Sequence, residues 1–178
     1  MAITISKQKP DFMKCFSLHW AMGCSLFIAA FLAGCGTPPA TKHAVELVPR
    51  TDASVEVDLV GASGSDLMDW KAYSMNKYWQ PGDPMRRDAE KVTLRIDGKE
   101  TKQFAPNDPI WDKWFARQAT YLVVLAHLPG DFQDGPTDPR RKIVPLAAIE
   151  KNQPLQIEIQ ERRIMVITPL KTLKNARD

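Results

Sequence analysis

Cysteine is missing from most of this sequence. The three in its 178 residues are Cys15, Cys24 and Cys35, and none follows. From residue 36 onward there is therefore no disulfide framework, no thiolate nucleophile and no zinc-thiolate centre, and stability must come from packing. Histidine is nearly as scarce. His43 and His127 are the only two in that stretch, too few to hold a zinc ion with the several close ligands it needs. Charge of one sign is not in excess either: 24 basic residues against 21 acidic give a net charge of +3. Setting aside the first 34 residues, with Lys7, Lys9, Lys14 and Asp11, brings the balance near neutrality. That is not the electrostatic footprint of a nucleic-acid binder. The sequence also lacks a long apolar run. The uncharged stretch Ala21 to Leu32 would rise about 18 Å as a helix, against the roughly 30 Å of a hydrocarbon core.

A basic flank ahead of a short apolar core reads as an export signal rather than a permanent membrane span. The core ends in Leu32-Ala33-Gly34-Cys35 and gives way to Gly36, Pro38 and Pro39. This tetrapeptide resembles the lipobox of bacterial lipoproteins, in which the cysteine accepts a diacylglycerol and the chain is cut just before it. The resemblance implies a cleaved signal peptide over residues 1–34 and lipid attachment at Cys35, with acyl chains such as palmitate and no other cofactor. Lipoproteins kept at the inner membrane typically carry Asp after the cysteine. Gly36 stands there instead, which implies the periplasmic face of the outer membrane. The alternative is an ordinary secretory signal with a chance cysteine.

Residues 35–54 read as a lipidated tether, because Pro38, Pro39 and Pro49 sit among small polar residues with only a brief apolar stretch at Val45 to Val48. Extended, it would reach roughly 60 Å. Residues 55–178 then carry the rhythm of short strands. Val55, Val57 and Leu59 alternate with Glu56 and Asp58, and Val92, Leu94 and Ile96 alternate with Thr93 and Arg95, each strand with one wet and one dry face. Thr120 to Leu128 is apolar on both sides and is expected to be an inner strand, whereas Pro145 marks Lys142 to Leu146 as an edge or bulge. Leu155, Ile157 and Ile159 followed by Ile164 to Ile167 predict a closing hairpin. Asn107-Asp108-Pro109 starts a short helix through Ile110, Trp111, Trp114 and Phe115, placed to plug one end of a sheet pair. Ser65 to Pro84 fits a helix capped by Asp66 or a strand around Trp70 to Met75, ended by Pro81, Gly82 and Pro84. The predicted fold is mainly β, a two-sheet antiparallel β-sandwich with one or two short helices.

Little in this stretch looks catalytic. Gly61-Ala62-Ser63-Gly64-Ser65 lacks the final glycine of a nucleophile elbow and has no α/β pattern around it, so a turn is the better reading. Asp131, Asp134 and Asp138 gather in one loop, but not at EF-hand spacing, and Arg140, Arg141 and Lys142 follow to neutralise them. A hydrolase would need His127 paired with Asp131 or Asp134. No catalytic residue and no metal ligand is expected.

The aromatic residues are the unusual feature. Trp70, Tyr73, Tyr78 and Trp79 crowd one segment, and Trp111, Trp114 and Phe115 crowd another. Burying them would close the ends of a disulfide-free sandwich. Alternatively, a subset of Trp70, Tyr73, Tyr78 and Trp79 stays exposed as a site for a protein partner, or as a platform for a sugar ring.

The order of features (lipobox, tether, strand, aromatic segment ending in Pro-Gly-Asp-Pro, inner strand, Asp-rich loop, Val-Pro-Leu strand and terminal hairpin) resembles the outer-membrane lipoprotein of type VI secretion systems, loosely over Val55 to Ile167. The resemblance implies a small β-sandwich that holds the periplasmic part of a membrane complex. That family has a proline-rich docking loop between its first two strands, whereas Gly61 to Asp66 is short and without proline. The expected function is a non-enzymatic adaptor in the cell envelope with a protein partner, anchored to the membrane by its lipid. A peptidoglycan-binding or other glycan-binding lipoprotein is the alternative, and an envelope hydrolase a further one.

Overall fold

The computed structural model describes residues 41–173. The chain divides into Met1–Thr37, which lies outside the described residues, and the compact unit Pro38–Asp178, which holds every element named below. The expected signal peptide, the expected lipid-attachment residue Cys35 and the first part of the expected tether thus fall outside the described residues.

Eight strands form two four-stranded sheets. In the first, β4 (Lys102–Phe104), β1 (Val45–Arg50), β7 (Leu155–Gln160) and β8 (Ile164–Val166) lie side by side in that order. In the second, the order is β3 (Lys91–Ile96), β2 (Val55–Ala62), β5 (Tyr121–Ala126) and β6 (Arg141–Pro145). The inner faces meet in one hydrophobic core. Val45 and Leu47 of β1, Val57 and Leu59 of β2, Leu122 and Val124 of β5, and Leu155, Ile157 and Ile159 of β7 are all fully buried there. Period-two alternation brings these side chains to one face of each strand. As predicted, β5 is an inner strand, Pro145 sits in an edge strand, and β7 and β8 close as an antiparallel hairpin.

The sandwich starts earlier than residue 55. Val45–Arg50, read from sequence as tether, is a central strand between β4 and β7, and its burial alternates as a half-buried strand should. Pro49 disguises it. That proline lies beyond the part of β1 paired with β4, which ends at Leu47, so its missing N–H leaves no gap on that side. The β1–β7 pair is also parallel, from Val45 opposite Leu155 to Arg50 opposite Gln160, while the other strand pairs are antiparallel.

Helix α4 (Ile110–Ala116) plugs one end of the sandwich, as its spacing predicts. Trp111 and Trp114 are buried against Phe104, the first stacked and the second tilted, and satisfy their indole N–H groups on the carbonyls of Ala105 (3.2 Å) and Glu90 (2.8 Å). Asp108 accepts from the N–H of Ile110 at its start (2.9 Å).

The expectation of one or two helices is exceeded. The described residues hold four short helices and a 3-10 turn at Leu146–Ala148. The segment left open between helix and strand is helical, forming α1 (Leu67–Ala72) and α2 (Met75–Tyr78), and Pro84 begins a third helix, α3 (Pro84–Asp88), instead of ending the segment. Asp83 caps α3 by accepting from the N–H of Arg86 (2.9 Å), and the fixed φ of Pro84 suits its first turn. These three helices cover the outer face of the second sheet and form a second core with Val60, Ala62, Val123 and Leu125. The described residues thus form three layers: helices, sheet, sheet. By contrast, Glu46, Gln156 and Glu158 leave the outer face of the first sheet polar.

Candidate functional site

The helical layer is held to the second sheet by a buried carboxylate. Asp58, expected on a wet face, is fully buried because that face of β2 is covered. It accepts three hydrogen bonds, from the hydroxyl of Tyr78 on α2 (2.9 Å), from Nε of Arg86 on α3 (2.9 Å) and from the hydroxyl of Thr93 on β3 (2.6 Å). Arg86 also donates to Glu56 (2.6 Å). A carboxylate leaving water needs its lone pairs used and its charge matched, and three donors including one cation do both. Burial, then the neighbouring Asp58 charge, pushes the Tyr78 phenol well above its ordinary value. Burial alone would lower the Arg86 guanidinium, but hydrogen bonds and attraction from Asp58 and Glu56 outweigh it and raise it.

The four aromatic residues singled out from sequence come together here, chiefly as packing. Trp70 and Tyr78 are 6% and 1% exposed and meet edge to face, with ring centroids 6.1 Å apart. Trp79 is half-buried. Its ring stacks on His127 at 4.8 Å and lies 4.3 Å from the Arg86 guanidinium carbon. Tyr73 is half-buried too and donates its hydroxyl to Asp83 (2.7 Å). Trp70 and Tyr78 therefore cannot present an exposed face, which leaves the partly exposed Tyr73 and Trp79 and, elsewhere on the layer, Met68 of α1, which is 68% exposed. An open groove along this layer is lined by Asp69, Tyr73, Lys77, Met85 and Asp88.

The Asp-rich loop clamps the same layer. Asp134 accepts from the hydroxyl of Ser74 and from the N–H of Met75 (2.7 Å) at the start of α2. Burial pushes its carboxyl up, but these donors outweigh that and hold it below the usual carboxylate range. Asp138 and Arg140, both buried, form a bidentate pair, and Arg140 reaches across to the Asn76 side chain (2.8 Å). Arg141, also buried, donates to the carbonyls of Tyr73 (2.7 Å) and Gly135 (2.6 Å). Burial lowers its guanidinium pKa. Two of the three acids that suggested a cation loop are thus occupied by the protein's own donors. Among the described residues no group of three His, Cys, Asp or Glu side chains stands ready for a metal ion.

The residues weighed from sequence for catalysis have local partners. Ser63 is buried and donates to Asp66 (2.7 Å), tying the turn before α1. His127 pairs by its backbone N–H with the carbonyl of Glu56 and stacks its ring on Trp79. Asp134 is committed to α2. The Asp138–Arg140 pair matches the expected neutralisation of the loop acids, whereas the buried roles of Asp58 and Arg86 are not legible because their pattern looks like ordinary surface charge. The available signal was the two-sided apolarity of β5, which requires cover on both faces of its sheet.

The sequence matches no protein-family model and no curated protein. The solved structures do offer matches. A chain of a structure described as the C-terminal domain of the T6SS protein TssM from EAEC overlays with a TM-score of 0.51 at 12% identity, over 70% of this chain and 99% of that one. A chain of a structure described as a type VI membrane complex gives 0.51 at 13%, over 70% and 96%. The chain shares its fold with chains from type VI secretion structures. The T6SS lipoprotein TssJ1 from Pseudomonas aeruginosa overlays with a TM-score of 0.42 at 13% identity, over 75% of this chain and 100% of that one.

Proposed function

We propose that this protein is a lipid-anchored lipoprotein of the outer membrane whose periplasmic sandwich is a non-enzymatic adaptor in an envelope complex of the type VI secretion kind. The observation that carries the reading is the overlay, over nearly the whole length of the matched chains, with components of such structures. The lipobox tetrapeptide ending at Cys35 and the glycine after it support the anchor and the membrane. The commitment of Asp58, Arg86, Asp134, Asp138 and Arg140 to internal contacts supports a scaffold role, since none is left poised for proton transfer. The partner face is the outer side of the helical layer, where Met68 and the edges of Tyr73 and Trp79 are available. There an exposed large apolar side chain and partly exposed aromatic rings share one layer, a composition favoured at interface centres.

The test is capture from an envelope extract by the lipid-anchored protein, comparing wild type with Met68→Glu and with Glu158→Lys on the outer face of the first sheet. Subunits of a type VI membrane complex are expected with wild type and Glu158→Lys and are lost with Met68→Glu. Retention of cell-wall fragments alone would overturn the reading in favour of glycan binding. Equal retention by all three proteins would move the partner face elsewhere.

A further inference from the structure

Four large hydrophobic side chains are exposed among the described residues, and three of them, Ile167, Leu170 and Leu173, fall in the last seven residues of that range. The stretch carrying them is pinned. Ile167 donates its N–H to the carbonyl of Gln156 (2.9 Å) and Lys171 donates its own to that of Ala148 (2.8 Å). Between them Thr168, buried, donates to the carbonyl of Pro154 (2.9 Å) and accepts from the N–H of Gln156 (2.7 Å). Apolar side chains are thus held outward on fixed backbone rather than on a loose tail.

The chain enters the sandwich at the same end. Leu155 donates its N–H to the carbonyl of Ala44 (2.8 Å), and the buried ring of His43 lies against the carbonyls of Gln153 and Leu146. With Val45–Arg50 removed from the tether, only seven residues lie between Cys35 and the buried His43, eight steps of chain that extended reach at most roughly 29 Å. The earlier figure of roughly 60 Å is about halved, and the end bearing Ile167, Leu170 and Leu173 is the end kept near the lipid.

We propose that the segment from Ile167 to Leu173 rests on the bilayer surface, with Leu170 and Leu173 in the interfacial zone and the Lys171 ammonium among the headgroups. The inference rests on lipid attachment at Cys35. Apolar side chains beside a long cation suit that zone, where the stem is buried and the charge stays wet. Among the described residues no helix is long and apolar enough to cross a membrane, so the contact is with the surface. It would fix how the body stands on the membrane and leave the helical layer and the polar outer sheet face turned to the periplasm.

The test uses residues 35–178, which contain the whole compact unit and one thiol, Cys35. That thiol is coupled to a maleimide phospholipid in vesicles of phosphatidylethanolamine and phosphatidylglycerol with or without brominated acyl chains. The four native tryptophans, of which Trp79 is only half-buried, are common to all variants and their quenching in the unsubstituted chain is subtracted; a reporter is added as Leu173→Trp, with Lys99→Trp as control at the far end of the second sheet, beyond Ile96. Bromination is expected to quench the reporter at 173 severalfold more than the one at 99, and Leu170→Asp in the Leu173→Trp background is expected to abolish the difference. Equal quenching at both positions, or none at 173, would overturn the proposal. Because the anchor is imposed chemically, that failure is separate from failure of the anchor itself, which would appear in cells as unchanged membrane fractionation of Cys35→Ser.

Discussion

The indole of Trp114 occupies the space a side chain on Gly61 would need: a Cβ built on that glycine falls 2.3 Å from Trp114 Cγ. No atom can stand there, so helix α4 docks on β2 only because residue 61 has no side chain. Gly61→Ala is expected to cost about 1–3 kcal/mol through overpacking, seen as a lower midpoint in chemical denaturation followed by tryptophan emission. Since the clash is with one ring, Gly61→Ala combined with Trp114→Leu should cost less than the sum of the two single changes.

Asp58 is the keystone of the helical layer. Tyr78→Phe removes one hydrogen bond to a charged group and should cost about 1.5–3 kcal/mol. Asp58→Ala removes all three acceptor contacts, and loss of one member of a buried ion pair typically costs about 3–5 kcal/mol. Arg86 keeps Glu56 and partial access to solvent, which sets the expected loss at the lower end of that range. Hydrogen exchange should reveal where the damage lies, with amides of α1 to α3 opening first and those of β7 unaffected.

Where the domain begins can be tested by truncation. A chain starting at residue 41 keeps β1 and is expected to fold as the longer one does. A chain starting at residue 55 loses the strand between β4 and β7, splitting the first sheet and exposing the buried faces of Leu155, Ile157 and Ile159. It should aggregate or show a collapsed, non-cooperative transition by circular dichroism.

His43 gives the fold a mild acid sensitivity. Its ring is 4% exposed and its Nε2 lacks a partner. Burial lowers its pKa from 6.5, outweighing the opposite pull of the Gln153 and Leu146 carbonyls. A depressed histidine pKa means the unfolded chain takes up the proton first. Stability is therefore full above pH 6.5 and falls as the pH drops below it toward the folded value. His43→Gln is expected to flatten the denaturation midpoint between neutrality and about pH 5, above the range where carboxylates titrate. An unchanged slope would assign the sensitivity to other groups.

The sandwich was legible because a half-buried strand writes its period into the chain. Leu155, Ile157 and Ile159, or Val55, Val57 and Leu59, can be read directly, and so can Trp111 and Trp114 at helical spacing. Three features were not legible, each for a physical reason. Pro49 looks like a linker residue unless the pairing partner is known, so β1 was hidden. The parallel partnership of β1 with β7 joins segments more than a hundred residues apart, and no local signal encodes it. Asp58 sits in a strand whose wet-face pattern is correct for a two-layer sandwich and fails only because a third layer exists. The aromatic cluster was found, but sequence cannot separate a ring that packs from one that binds, and Trp70 and Tyr78 pack.

The parallel pairing of β1 with β7 also sets the order of events for a chain delivered from its N-terminus. Val45–Arg50 has its short partner β4 after residue 104, but its full-length neighbour arrives only with residues 155 to 160. The first sheet must therefore close a loop of about a hundred residues before its central strand is flanked on both sides, an entropic cost met late and a slow kind of contact to make. Until residues 155 to 160 have emerged, the first sheet is incomplete and Val45–Arg50 has only its short partner, so the two sheets of this domain close at different times.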